Sequence, residues 1–403
     1  MKRFDNGVMR SYGVSAMSQV PAHMRGDAHR ASKRIAWVDD WRALLVVLVV
    51  AGHVFGTASR YVAPSNMGWY DAVFKVIYSF HMPAFFMLAG LMTSCASQKA
   101  PFACEVAKLV KRLLVPYFCF GTFSVMAYIF GMQYYHAASV GATWYYDGFS
   151  RGEWWHALAS LLYGAPFPYT DGFRCNSVLW FLPCLFSVKL VGRMLSRLTG
   201  NLPTMRCVTI AAVAALTGWA LHFVRIPPLP YGLLNVPWFL FFFLAGVILR
   251  PHLLRTRQNI TSNVQVRRPW AVLLMALLFL SLLWLVPDIT YSVSSPHWYA
   301  VVLMLGMLGS FLSIVAAKHL PIRWHVASRI LSANAIGIMF LHKYFVLAMV
   351  MCCPVVKRCL ASSLCFGIML SIFIVIASTA AACMLSALLG RFAPWMIGRI
   401  GND

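Results

Sequence analysis

Apolar runs of about 20 residues recur along nearly the whole chain, the length an α-helix needs to cross a bilayer core about 30 Å thick. In lipid each such segment must satisfy its own backbone hydrogen bonds, which leaves a bundle of helices as the architecture. Ten spans can be read, at approximately 37–57, 70–92, 109–131, 178–195, 207–224, 233–249, 270–287, 298–317, 330–351 and 361–389. Composition agrees. Of 403 residues, 60% are hydrophobic and 11% are charged, with a mean hydropathy of +0.71, whereas a soluble domain carries about 25% charged residues. The expected fold class is all-α, a polytopic membrane protein of about ten transmembrane helices.

A formal net charge of +23 would suit a nucleic-acid binder, but its placement points elsewhere. The N-terminal segment up to Arg42, the second, fourth, sixth and eighth connections and the C-terminal tail hold twenty-six Lys and Arg; the fourth connection is credited with Lys189, Arg193, Arg197 and Arg206. The intervening connections hold six, and Lys75 and Lys343 fall inside spans. By the positive-inside rule both termini are cytoplasmic. The expected partner of the basic balance is the lipid bilayer and no nucleic acid.

Residues 1–33 read as a disordered cytoplasmic leader without a signal peptide, 34–390 as the transmembrane domain and 391–403 as a cytoplasmic tail. The longest loop, about 132–177, falls outside and carries Asp147, Glu153 and Asp171. Its "EWWHALASLLYG" reads either as a helix on the outer membrane surface or as an ordinary packed one. The eleven cysteines show no metal-ligand spacing, and no metal is expected. Most lie on the cytoplasmic side, where thiols stay reduced. Cys175, Cys352, Cys353 and Cys359 lie at or near the outer face, which leaves packed thiols and one disulfide both open. No feature bears on oligomeric state.

Polar groups at membrane depth are costly and therefore informative. "VDDWRALLVVLVVAGHVF" carries Asp39, Asp40 and Arg42 at its start and His53 near its end, about 16 Å further along a helix than Arg42. "YSFHMPAFFMLAG" puts His81 about halfway along the second span, with Pro83 expected to kink it. "IMFLHKYF" puts His342 and Lys343 at a similar depth in the ninth. Three imidazoles from three helices thus share one level. One account has each donate to a backbone carbonyl and glue helices together; the other makes them a site. His222, His136, His156, His297, His319 and His325 read as solvated or packed.

At these residues the chain resembles acyltransferase family 3. Asp39-x-x-Arg42 followed by ten residues and His53 resembles that family's D-x-x-R-x10-H opening helix. "FHMPAFFMLAGL" is similar to its second helix, although Ala89 replaces the usual serine. "KLVKRLLVPYF" resembles its basic entry to helix 3, "SVLWFLPCLF" its W-F-L segment, and "ILSANAIGIMFLHKYFV" its late S-x-x-I-Y-L-x-H helix. The likeness is nearest to the fucose 4-O-acetylase-like branch. It implies O-acetyl transfer from acetyl-CoA, the donor, to a hydroxyl of a carbohydrate acceptor at the outer face.

Elementary chemistry fits that implication. CoA phosphates need cations at the cytoplasmic mouth, where Arg42, positioned by Asp39, and Lys108, Lys111 and Arg112 stand; positive-inside topology alone also accounts for the last three. A pantetheine arm of about 15–20 Å matches the Arg42-to-His53 rise. His53 is the expected general base or acyl acceptor. His81, His342 and Lys343 are candidates for oxyanion stabilisation or a polar pathway, and Trp180 for stacking on a sugar or anchoring at the interface. Two rival classes are a secondary transporter with a buried His/Lys relay and a non-catalytic partner of a polysaccharide export machine.

Overall fold

The computed structural model describes residues 35–62, 68–93, 101–136, 154–164, 176–198, 204–224, 226, 229–254, 269–287, 295–351 and 353–399; Cys175, Cys352, Asp147, Glu153 and Asp171 lie outside them. Among the described residues every regular element is helical. All ten apolar runs are helices. Eight are long and apolar enough to cross a membrane, a ninth is a bent pair, and the seventh, at 269–285, is a shorter apolar helix.

The first helix, α1 (Ala36–Tyr61), is the axis of the molecule. Trp41, Leu45, Val46, Val50, Val54 and Ala58 are all buried, a row at helical spacing that α1 turns into the bundle. The second span is divided into α2 (Trp69–Tyr78) and α3 (His81–Leu91). Pro83 lacks the N–H that would bond the Ser79 carbonyl, and its ring crowds that turn. The interruption therefore falls at Ser79–Phe80 and makes His81 the first residue of α3.

The third span comprises α4 (Phe102–Leu109), a π-helical turn Val110–Leu114, and α5 (Val115–His136). Then come α6 (Trp154–Tyr163), the 3-10 turn Ser177–Trp180 and α7 (Phe181–Leu198). They are followed by α8 (Thr204–Leu221), α9 (Val236–Leu254), α10 (Pro269–Leu285) and α11 (Tyr299–Lys318). The last are α12 (His325–Ala333), α13 (Ala335–Met351), α14 (Pro354–Leu360) and α15 (Leu364–Phe392), closed by a 3-10 turn Pro394–Ile397.

The ninth span is not the single straight helix 330–351 that its hydropathy suggests. It breaks at Asn334, and its two pieces are bent by 83°. Asn334 turns its side-chain amide back to the Ile330 carbonyl (2.9 Å), while its Oδ1 accepts from Ser386 (3.1 Å). A short amide that bonds the backbone in this way competes with helix propagation.

Helices α2, α3, α11, α12, α13 and α15 all pack on α1. Beside them α3 and α9 meet almost backbone to backbone. A Cβ on Gly90 would stand 1.9 Å from the Phe243 carbonyl oxygen, and one on Gly246 would stand 2.0 Å from that of Met87. The outer faces of α8, α10 and α15 carry exposed Leu216, Trp284, Phe373 and Met384, the surface that lipid covers.

Candidate active site

The break before His81 and the straight run of α1 to His53 bring the predicted imidazoles together. The ring centroids of His53 and His342 lie 5.2 Å apart. Tyr78 joins the third: its ring is 6.2 Å from His53 and 4.7 Å from His81. Tyr78 could have been noticed in the sequence, since it stands three residues before His81. Gly52 lets Tyr78 in, because a Cβ there would lie 2.8 Å from the Tyr78 ring.

The three rings differ in what remains to them. His81 Nδ1 lies 2.8 Å from the Ile77 carbonyl oxygen, and His342 Nδ1 lies 2.8 Å from that of Ile338. A carbonyl only accepts, so in the neutral ring the proton sits on Nδ1 and Nε2 carries a lone pair. His342 is fully buried, and its Nε2 has no partner among the described residues. Such rings accept protons at Nε2 and do not donate there while neutral. This removes the oxyanion role expected of His81 and His342 in their neutral forms and leaves Lys343 as the candidate donor. Lys343 follows His342 and acts electrostatically on both His53 and His342. No hydrogen bond holds the half-buried His53 ring among the described residues, so both its nitrogens remain free for chemistry.

Near the start of α1 the structure assembles the second part of the site. Arg42 donates to Ser332 Oγ (3.0 Å), whose hydroxyl donates to Asp39 Oδ1 (2.7 Å); the direct Arg42–Asp39 separation is 3.7 Å. Asp39 thus positions Arg42 chiefly through a serine at the end of α12. The next carboxylate, Asp40, is buried and lies 2.8 Å from His325 Nδ1. His325, expected to be solvated or packed, is partly exposed and packs on Asp40, which links α12 to α1. Both contacts span nearly 300 residues of sequence, which is why pattern reading missed Ser332 and His325.

The remaining candidates divide. Arg112 acts electrostatically on Lys189, as do Arg42 and Arg193. Lys108, Lys111 and Arg112 are all exposed, and of the three only Arg112 joins that group. Lys189 itself was counted with the fourth connection, yet it lies within α7, nine residues before its end. Trp180 belongs to an aromatic cluster instead of the histidine group: its ring is 5.5 Å from Phe239, which stacks on Phe86 at 4.1 Å. Among the described residues no group of three or more His, Cys, Asp or Glu is arranged to hold a metal ion.

Comparison with known proteins places the chain in a family. Over 98 residues the chain is 33% identical to the nodulation protein NolL of Sinorhizobium fredii (strain NBRC 101917 / NGR234), a stretch covering 24% of this chain and 26% of that protein. The chain thus aligns with about a quarter of the length of this curated relative. No solved structure matches the chain. The family of the acyltransferase domain, in contrast, matches residues 35–391. That range takes in α1 with Arg42 and His53, the broken second span with His81, and α13 with His342, and on it the chain belongs to acyltransferase family 3, the multi-pass membrane acyltransferases.

Proposed function

We propose that this membrane acyltransferase moves an acetyl group from cytoplasmic acetyl-CoA to a hydroxyl of a carbohydrate on the far side of the cell membrane, with both termini in the cytoplasm. The observation that carries the reading is the axis of α1. Arg42, held by Ser332 and Asp39, stands about 16 Å along the helix from His53, and His53 is the one ring of the three whose Nδ1 is not committed to a carbonyl. The donor's phosphates bind near Arg42 and its thioester reaches His53.

The chemistry follows from what each ring has free. His53 takes the proton of the acceptor hydroxyl as the oxygen attacks the thioester carbonyl carbon. The Lys343 ammonium supports the oxyanion that forms. Collapse breaks the C–S bond, and the departing sulfur receives the proton back from His53, which gives CoA thiol and the acetyl ester. His342, its ring centroid 5.2 Å from that of His53, keeps an Nε2 lone pair beside the base. Tyr78, packed between His53 and His81, fixes the spacing of the first two spans.

The test is labelled acetyl-CoA mixed with purified protein in lipid, with and without a polysaccharide acceptor. Acetyl transfer or thioester hydrolysis is expected, and His53→Ala should lower the rate at least about 100-fold, the low end of what a positioned base contributes. His53→Gln keeps hydrogen bonding without a useful base and should be as slow. Normal turnover by His53→Gln would move the base to another ring. The absence of both transfer and hydrolysis in wild-type protein, with coupled solute uptake instead, would support the transporter class.

A further inference from the structure

The cations near Arg42 are not equivalent. Arg42 is held by Ser332 and Asp39. Arg193 and Arg197 share one buried carboxylate, Glu105, at 3.8 and 3.2 Å. Lys189 stands apart. It is half-buried on α7, which packs against the π-helical turn carrying Arg112. Among the described residues it has no acid and no acceptor, and the charges acting on it, Arg42, Arg112 and Arg193, are all positive.

Lys189 lies nine residues before the end of α7, about 13 Å along the axis from it. A half-buried ammonium among like charges is unfavourable unless an anion completes the group. Asp39 and Glu105 do not supply that anion, because each already serves another cation. Such a cluster of cations suits an anion, with Lys189 half-buried and Arg112 exposed.

Resting on the reading that the donor is an acyl-CoA, we propose that Lys189, with Arg42 and Arg112, binds the donor's diphosphate, so that Lys189 sets the requirement for a phosphorylated acyl carrier. A diphosphate is doubly anionic and sits between the nucleoside and the pantetheine arm. It is therefore the CoA group that must lie inside the mouth when the thioester reaches His53. Arginine forks grip phosphate oxygens through paired donors, while a lysine supplies a point charge. Lys189 here is a positioning and specificity residue; it is remote from the reacting carbon.

The experiment measures binding by calorimetry to purified protein in phosphatidylcholine nanodiscs, a lipid without net charge. The ligands are CoA, dephospho-CoA, pantetheine and inorganic pyrophosphate. Lys189→Ala should weaken CoA and dephospho-CoA equally, by about 10- to 100-fold, the effect of losing a charged hydrogen bond. Pantetheine binding should not change, and Lys189→Arg should retain most of the affinity. Unaltered CoA affinity in Lys189→Ala would overturn the proposal, as would equal weakening of pantetheine, which signals lost packing. An effect on CoA but not on dephospho-CoA would overturn the diphosphate assignment. Should wild-type protein bind no CoA at all, the donor reading falls by itself. Pyrophosphate binding that Lys189→Ala abolishes would then still uphold an anion site, and its absence from wild-type protein would end it.

Discussion

A histidine whose Nδ1 proton is given to a backbone carbonyl has only a lone pair left to offer, and two of the three imidazoles here are in that position. Only His53 retains both nitrogens, and it lies on the helix that also carries Arg42. That spacing was legible in the sequence because both ends lie on one helix. What was not legible depends on contacts that no spacing encodes: Ser332 bridging Arg42 to Asp39, His325 on Asp40, and the tautomers of His81 and His342. Lys189 was obscured in another way, because counting charges by connection absorbed a residue that the helix keeps. The bridge makes a prediction. Ser332→Ala removes the hydroxyl that orients Arg42 and should raise the KM for acetyl-CoA about 3- to 10-fold with kcat nearly unchanged, matching a net hydrogen bond of about 0.5–1.5 kcal/mol. Arg42→Ala should cost more, about 10- to 100-fold, and Arg42→Lys should restore little because the planar fork is lost. Steady-state kinetics with acetyl-CoA and with acetyl-pantetheine check this, since the shorter donor should be insensitive to all three changes.

At the level of elements, hydropathy located all ten apolar runs but could not say which face each one buries. The sequence of α3 and α9 is apolar all round, so no stripe points to the partner; the pairing depends on Gly90 and Gly246, where each helix takes the other's carbonyl against its own backbone. Such contacts between spans rely on small residues, because lipid tails compete equally for larger apolar groups. Gly246→Leu should therefore destabilise the protein by about 1–3 kcal/mol, the usual cost of overpacking. The reading is a lowered thermal midpoint in detergent. Gly68→Ala is the control, because nothing stands within 4 Å of a Cβ there, and its midpoint should not move. If Gly246→Leu melts with wild-type protein, α3 and α9 are not in backbone contact. The two helix breaks have different causes, and only one announced itself. Pro83 marks the first in the sequence. The second depends on Asn334 bonding both Ile330 and Ser386, and Ser386 lies 52 residues away.

For the whole molecule, the contacts themselves constrain how many times the chain crosses. Asp39 and Arg42, near the start of α1, meet Ser332 at the end of α12, so both lie at one end of the bundle and an even number of crossings must separate them. Arg399 donates to the Ala333 carbonyl, and Gly398 packs on the Arg112 carbonyl, which brings the C-terminal turn to that same end. Between Arg42 and Ser332 run α1, the α2–α3 pair, the third span, α7, α8, α9, α10 and α11. The parity holds only if α10 crosses, although it is just 17 residues long. A helix of this length crosses with local thinning of the bilayer or with help from its flanking residues. The charges agree, since the last turns of α9 and the connection before α10 hold Arg250, Arg255, Arg257, Arg267 and Arg268 while the connection after α10 holds none. Single cysteines in a cysteine-free background decide the matter. On intact cells a membrane-impermeant maleimide should label Leu158→Cys, on the exposed face of α6, and Ser292→Cys after α10. It should miss Ser262→Cys before α10 until the cells are broken. Equal labelling at 262 and 292 would show that α10 stays on one side and would break the parity. Labelling at 262 alone would invert the bundle. Arg42, Arg112 and Lys189 would then face away from the cytoplasm, where no acyl-CoA is supplied, and the donor assignment would fall with the orientation.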